Sequence, residues 1–396
     1  MSAKVCGPGR LRSVGNRFCV HTENGVTLMR ITAASILLVF VHLTAYSQRP
    51  ETKNIVIVTL DGMRWQEVFQ GADEAVAFNG KYVSDKSGIE AFWHTSETER
   101  RRALMPFLWN VVAGEGQLYG NRNYDNKVNC TNHHLISYPG YAEMLVGFRH
   151  KKVSSNREVD NPSATVLEAI ESNYRFQDEV AAFATWNAFR YILRESKSNI
   201  YVNAGRDLAA GNLSQNERAL NELQLNGAER SDSITFQYAM EYLKRVRPRV
   251  TFIGFDETDH YAHQGRYDEY LRAAHNADQM IAQLWRWLQS QPDYKDQTTL
   301  LITTDHGRGR GRNNWRKHRL LARGSRHIWF AVVGPDTPSF GEMKVESKLY
   351  QKQAAKTIAA FLGLPYENEQ PVGEVVQTMI AIPQGERTET SAFIAR

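Results

Sequence analysis

The chain has 396 residues, 42% hydrophobic and 23% charged, with 27 Gly, 12 Pro and 3 Cys; this excludes a collagen-like repeat, a disulfide-built scaffold and a chain too polar to fold. A formal charge of +5 raises a basic surface for nucleic acid or acidic lipid as a first idea. Most of that excess lies before residue 48, where Lys4, Arg10, Arg12, Arg17 and Arg30 face the single acid Glu23. The rest of the chain is close to neutral.

From Met29 the sequence has a basic start at Arg30, a short apolar run over 33–41, and small residues at Ala45 and Ser47. This is the pattern of a secretory signal peptide, and the run is about half of what a membrane-spanning helix needs. The expected organisation is an extension upstream of the true start over 1–28, a signal peptide over 29–47, and one folded domain over 48–396. That domain would be exported to the periplasm or medium, with no stable membrane partner after cleavage. Cys6 and Cys19 would leave with the leader, so Cys130 has no intrachain disulfide partner and reads as a small buried residue.

In chain order, the β-branched run 54–60 predicts a buried strand emptying into the turn Asp61-Gly62. The polar stretch 71–102 reads as an excursion over one end of a sheet, and 105–113 as a helix. Pro139 initiates a helix reaching Val146, with Ser137 just before it. Thr165 and Glu168 have the spacing of a capping box opening a helix to about residue 172. Strands are predicted over 179–186, 199–203, 249–255, 297–304 and 328–333. Helices are predicted over 215–223, 231–244, 266–291 and 350–362; in the third of these Tyr270, Ala274, Ala277, Ile281, Leu284 and Leu288 form one apolar face. Strands alternating with helices predict a three-layer α/β/α sandwich around a mostly parallel sheet.

Ligands of open α/β sheets bind beyond the carboxyl ends of the strands, and three strong strands here end in acids and histidines. Asp61 follows the first. Asp259 and His263 follow another, four residues apart, so one helical turn can aim both at a common cation. Asp305 and His306 follow a third. Hard oxygens and imidazoles together suit a divalent metal. Ser137, at the amino end of a helix that favours anions, is either a nucleophile or a helix cap. Arg308, Arg310, Arg312, Arg316, Lys317, Arg319, Arg323 and Arg326 form the one strongly basic run, a solvated loop or a funnel for an anionic substrate. It lacks the regular aromatic platform of a single-strand groove, so nucleic acid enters only as a substrate.

The ordered set Asp61-Gly-Met-Arg64, Ser137-Tyr-Pro-Gly-Tyr141, Glu257-Thr-Asp259-x-x-x-His263-x-Gly265, Asp305-His306-Gly307 and Gly334-Pro335 resembles the alkaline phosphatase superfamily. The nearest branch is that of nucleotide pyrophosphatases and type I phosphodiesterases. The resemblance implies a catalytic domain acting on small phosphate esters, either diesters or monoesters, with two divalent metals, most simply Zn2+, about 4 Å apart. Asp61, Ser137, Asp305 and His306 would hold one; Asp259, His263 and a third histidine the other. His318 is taken as that histidine, with His327 as the alternative. Ser137 would be the nucleophile, passing through a phosphoseryl intermediate. Asn156 and Tyr138 stand nearest the branch's phosphate-binding Asn and its aromatic. Gly140 and Tyr141 depart from that branch, which has Asn and His there. A sulfatase is disfavoured because Tyr141 stands where such an enzyme needs Arg. The other reading is a secreted protein that binds metal without turnover.

Overall fold

The computed structural model describes residues 50–381; the expected extension, signal peptide and last residues lie outside them. Eight strands form the main sheet: β1 Asn54–Leu60, β2 Gln117–Tyr119, β4 Val180–Ala184, β5 Tyr201–Ala204, β6 Val250–Phe255, β7 Thr298–Thr303, β9 Phe330–Val333 and β10 Gly341–Glu342, in the order β10-β2-β9-β7-β1-β6-β4-β5. Five of its strands, β7-β1-β6-β4-β5, run parallel; β9 is antiparallel to both β7 and β2. The expected architecture is therefore the observed one.

Strand alternation divides the core in two. Val56, Val58 and Leu60 pack on one face with Ile253, Phe255, Leu300 and Ile302, while Ile55 and Ile57 pack on the other with Val250, Phe252 and Leu301. Each buried aliphatic side chain contributes about 1.5–3 kcal/mol, and a sheet covered on both faces explains strands that are largely apolar and β-branched with no alternation to charged residues. The first face is covered by the helices Asp232–Val246 and Tyr267–Ser290. The second is covered by Ser137–Val146, Val166–Glu171 and Gln353–Phe361.

β7, β1 and β6 are central neighbours in register, with Leu60 opposite Phe255 and Thr59 opposite Thr303. The chain therefore leaves all three at one edge, which brings Asp61, Asp256 and Asp305 together despite their separation in sequence.

The structure differs from the sequence expectation in three places. A second sheet, β11-β3-β8, is made of Ser347–Tyr350, Asn126–Asn129 and His327–Ile328; its strands are too short and polar to show a period. The single strand expected over 328–333 is broken at Trp329, with β8 and β9 in different sheets. The helix expected over 105–113 is present over 106–115 but contains a π turn at Leu108–Val112, and the amides of Phe107 and Leu108 donate to Asp278, at 2.8 and 2.9 Å. The polar stretch after Gly71 forms short helices against Tyr267–Ser290, where Asp268 accepts from the amides of Ser84 and Asp85. No helix of the described residues is long and apolar enough to cross a membrane.

Candidate active site

Asp61 is the first residue beyond β1 and is buried. Its Oδ1 lies 3.5 Å from Ser137 Oγ. Ser137 is the first residue of its helix, Ile136 holds the capping position, and no side chain caps that end. The serine hydroxyl is thus not engaged as a cap. The loop before it is fixed by buried Glu143, whose carboxylate accepts from the amides of Thr131 and Asn132 at 2.8 and 2.7 Å.

Gly140 accounts for one departure from the phosphodiesterase pattern. A Cβ there would lie 2.4 Å from the Asp305 carbonyl oxygen, so the helix can sit this close to β7 only with glycine. Gly140→Ala should cost about 1–3 kcal/mol by overpacking and push Asp305 out of line. A lower Tm and a drop in activity larger than that stability loss explains are the expected result in paired melting and rate measurements. The neighbouring Tyr141 is buried, and its hydroxyl lies 3.5 Å from Thr59 Oγ1.

Asp259 and His263 lie one turn apart on the helix Glu257–Gln264, with His263 Nε2 3.1 Å from Asp259 Oδ2. His260 points away and bonds Gln264. His306, fully buried, donates Nδ1–H to the Gly307 carbonyl at 3.0 Å. A carbonyl can only accept, so in the neutral ring Nε2 carries the lone pair. That nitrogen lies 3.6 Å from Asp61, 3.7 Å from Asp259 and 3.5 Å from Asp305. His318 is set the same way: Nδ1 donates to the Leu135 carbonyl at 2.9 Å, and Nε2 lies 3.0 Å from His263 Nε2. Its ring stacks on His306 with centroids 4.3 Å apart.

Two groups result, Asp61 with Asp305 and His306, and Asp259 with His306 and His318, each offering ligand atoms within 4.8 Å of one another. Asp305 Oδ2 and His306 Nε2 are buried without a hydrogen-bond partner. Burial drives the Asp61 carboxyl well above its ordinary range, and the Asp305 and Asp256 charges raise it further. Asp256 is pushed up to about 7 by burial and then by Asp232 and Asp305. Burial, then His306 and Arg308, lower His318 to about 2, so the ring is neutral and able to ligate. Unpartnered lone pairs crowded among carboxylates fit divalent cations.

The structure brings Asp61, Ser137, Asp259, His263, Asp305, His306 and His318 together. His327 lies outside this cluster, its Nδ1 3.3 Å from Arg310 Nη2. Asn156 Oδ1 accepts from the Tyr138 amide at 3.0 Å, and the buried Tyr138 donates its hydroxyl to the Val159 carbonyl at 2.6 Å. These two residues thus shape the segment around Ser137 by packing and hydrogen bonding.

Arg308 belongs in sequence to the basic run, yet it is fully buried. It bonds Asp259 Oδ1 and donates to the carbonyls of Gly62 and Arg316 at 3.1 and 2.7 Å. The available signal was its place two residues beyond His306, in the same buried turn.

A large, mostly parallel sheet with this acid and histidine cluster at its carboxyl edge defines an alkaline phosphatase-like hydrolase. The chain belongs to the type I phosphodiesterase/nucleotide pyrophosphatase family, whose model matches residues 82–382. No curated protein matches the chain. Among solved structures, the wild-type alkaline phosphatase PafA is similar at 10% identity, TM-score 0.52, over 84% of this chain and 99% of that one. The lipoteichoic acid synthase LtaP from Listeria monocytogenes is similar at 12% identity, TM-score 0.51, over 82% of this chain and 74% of its own. A 2-O glycosaminoglycan sulfatase, BT1596, is similar at 14% identity, TM-score 0.52, over 86% and 76%. At these identities the likeness establishes the fold. Members of the superfamily use divalent metals, and this chain has candidate ligand groups for them.

Proposed function

We propose that the protein is an exported hydrolase of small phosphoric esters, with Ser137 as nucleophile and two divalent cations, most simply Zn2+, as cofactors. The observation that carries this reading is the Ser137 hydroxyl, which caps no helix and points at Asp61 Oδ1 from 3.5 Å, beside two buried ligand atoms without partners. Asp61, Asp305 and His306 would hold one ion and Asp259, His263 and His318 the other. The bound ions would supply Lewis acidity, lower the pKa of a coordinated hydroxyl and stabilise charge on the departing oxygen.

Ser137 Oγ attacks phosphorus, and the bond from phosphorus to the ester oxygen breaks in line with it. The leaving group departs with the ester's electron pair and takes up a proton. Water then cleaves the phosphoserine and restores the hydroxyl. Asp305 is held for this task by donation from the Gly62 amide at 2.9 Å, and His306 by its bond to Gly307. Arg308 orients Asp259. Asn156, through the Tyr138 amide, keeps the start of the helix in place.

Turnover of p-nitrophenyl phosphate, bis-p-nitrophenyl phosphate and p-nitrophenyl sulfate by zinc-loaded protein tests this reading. One or both phosphate esters should be hydrolysed, with the sulfate much slower. Hydrolysis of the sulfate alone would overturn it and favour a sulfatase; no turnover of any would favour a metal-binding protein.

A further inference from the structure

Beside the acid and histidine cluster is a cavity of about 780 Å³. Its walls carry Arg310, Arg323, Arg326 and His327, with Leu320 and Leu321 also lining it. Among the described residues none of these three arginines forms an ion pair with a carboxylate. The side-chain partner of Arg310 is the His327 ring. Burial, together with the charges of Arg122, Arg310 and Arg326, pushes His327 down to about 3, so the ring can accept but adds no charge. The three guanidinium groups are solvent-exposed, so water screens their mutual repulsion, and their planar forks are free to grip an oxyanion through charge-assisted hydrogen bonds.

The wall is also held by backbone pairing. Asn129 pairs with His327 between β3 and β8, and the Cys130 amide donates to the Arg326 carbonyl at 2.9 Å. Leu135, which lines the cavity, lies two residues before Ser137, and its carbonyl accepts the Nδ1–H of His318. The cavity and the cluster therefore share a wall. Leu320 and Leu321 are 59% and 96% exposed, so apolar surface adjoins the charge.

We propose that this cavity is a subsite for a second phosphate carried by the same molecule as the scissile phosphate, so that the preferred substrates are bisphosphorylated. This rests on reading the neighbouring cluster as a phosphoric ester hydrolase. Calorimetric titration of zinc-loaded Ser137→Ala protein, which cannot use its nucleophile, with the bisphosphates and monophosphates of propanediol and hexanediol provides the test. At least one bisphosphate should bind about 10-fold more tightly than its monophosphate. That ratio should fall towards one when Arg310, Arg323 and Arg326 are all replaced by Gln, with the fold intact by circular dichroism. Equal binding of the two phosphate classes, or a preference that survives the triple replacement, would overturn the subsite. Separate turnover assays of wild-type protein distinguish this from failure of the hydrolase reading: phosphate-ester hydrolysis without a bisphosphate preference sinks the subsite alone.

Discussion

Ser137→Ala should lower kcat by on the order of 10³-fold or more, while metal content and Tm stay close to those of the wild type. Loss of a nucleophile leaves only what binding and electrostatics contribute. The stability effect should stay below about 1 kcal/mol, because this hydroxyl caps no helix and its nearest partner is a carboxylate oxygen at 3.5 Å. A structural serine gives the reverse pattern, a lowered Tm with rate retained. Steady-state kinetics, metal analysis and calorimetry on one preparation separate the two.

His306→Ala should have an equally large effect on rate by a different route. His306 belongs to both candidate ligand groups, so its removal should lower bound metal by roughly half or more and activity by on the order of 10³-fold. It also leaves Asp61, Asp259 and Asp305 close together without the imidazole between them. Their crowding should lower Tm, and with metal lost the variant should respond less than the wild type to a chelator. Elemental analysis and melting with and without chelator check this. Full metal content in His306→Ala would contradict the two-group assignment.

The site was legible in sequence wherever a strong strand pointed to it. β1, β6 and β7 are rich in apolar and β-branched residues because both faces of each strand are buried, and each strand is followed within two residues by an acid of the cluster. The four-residue spacing of Asp259 and His263 marked one helical turn. Other features were hidden for physical reasons. Arg308 lies in a run whose composition reads as solvated, although the turn after His306 folds it inward. β3, β8 and β11 are short polar strands stabilised by one another, so they show no period. The tight contact of Gly140 with the Asp305 carbonyl joins residues far apart in the chain, and in sequence it showed only as a departure from a motif. The choice between His318 and His327 likewise depended on tertiary structure: the Leu135 carbonyl aims His318 Nε2 at the cluster, whereas pairing with β3 holds His327 on the arginine-lined cavity.

The central claim is covalent catalysis by Ser137, and acid-quenched peptide mapping tests it most directly. Zinc-loaded protein is mixed with whichever p-nitrophenyl phosphate ester it hydrolyses, quenched in acid during turnover, digested and analysed by mass spectrometry. The account predicts phosphorylation on the peptide carrying Ser137 in the wild type, and none in Ser137→Ala. Undiminished turnover by Ser137→Ala, or phosphate found on a different residue, would contradict it.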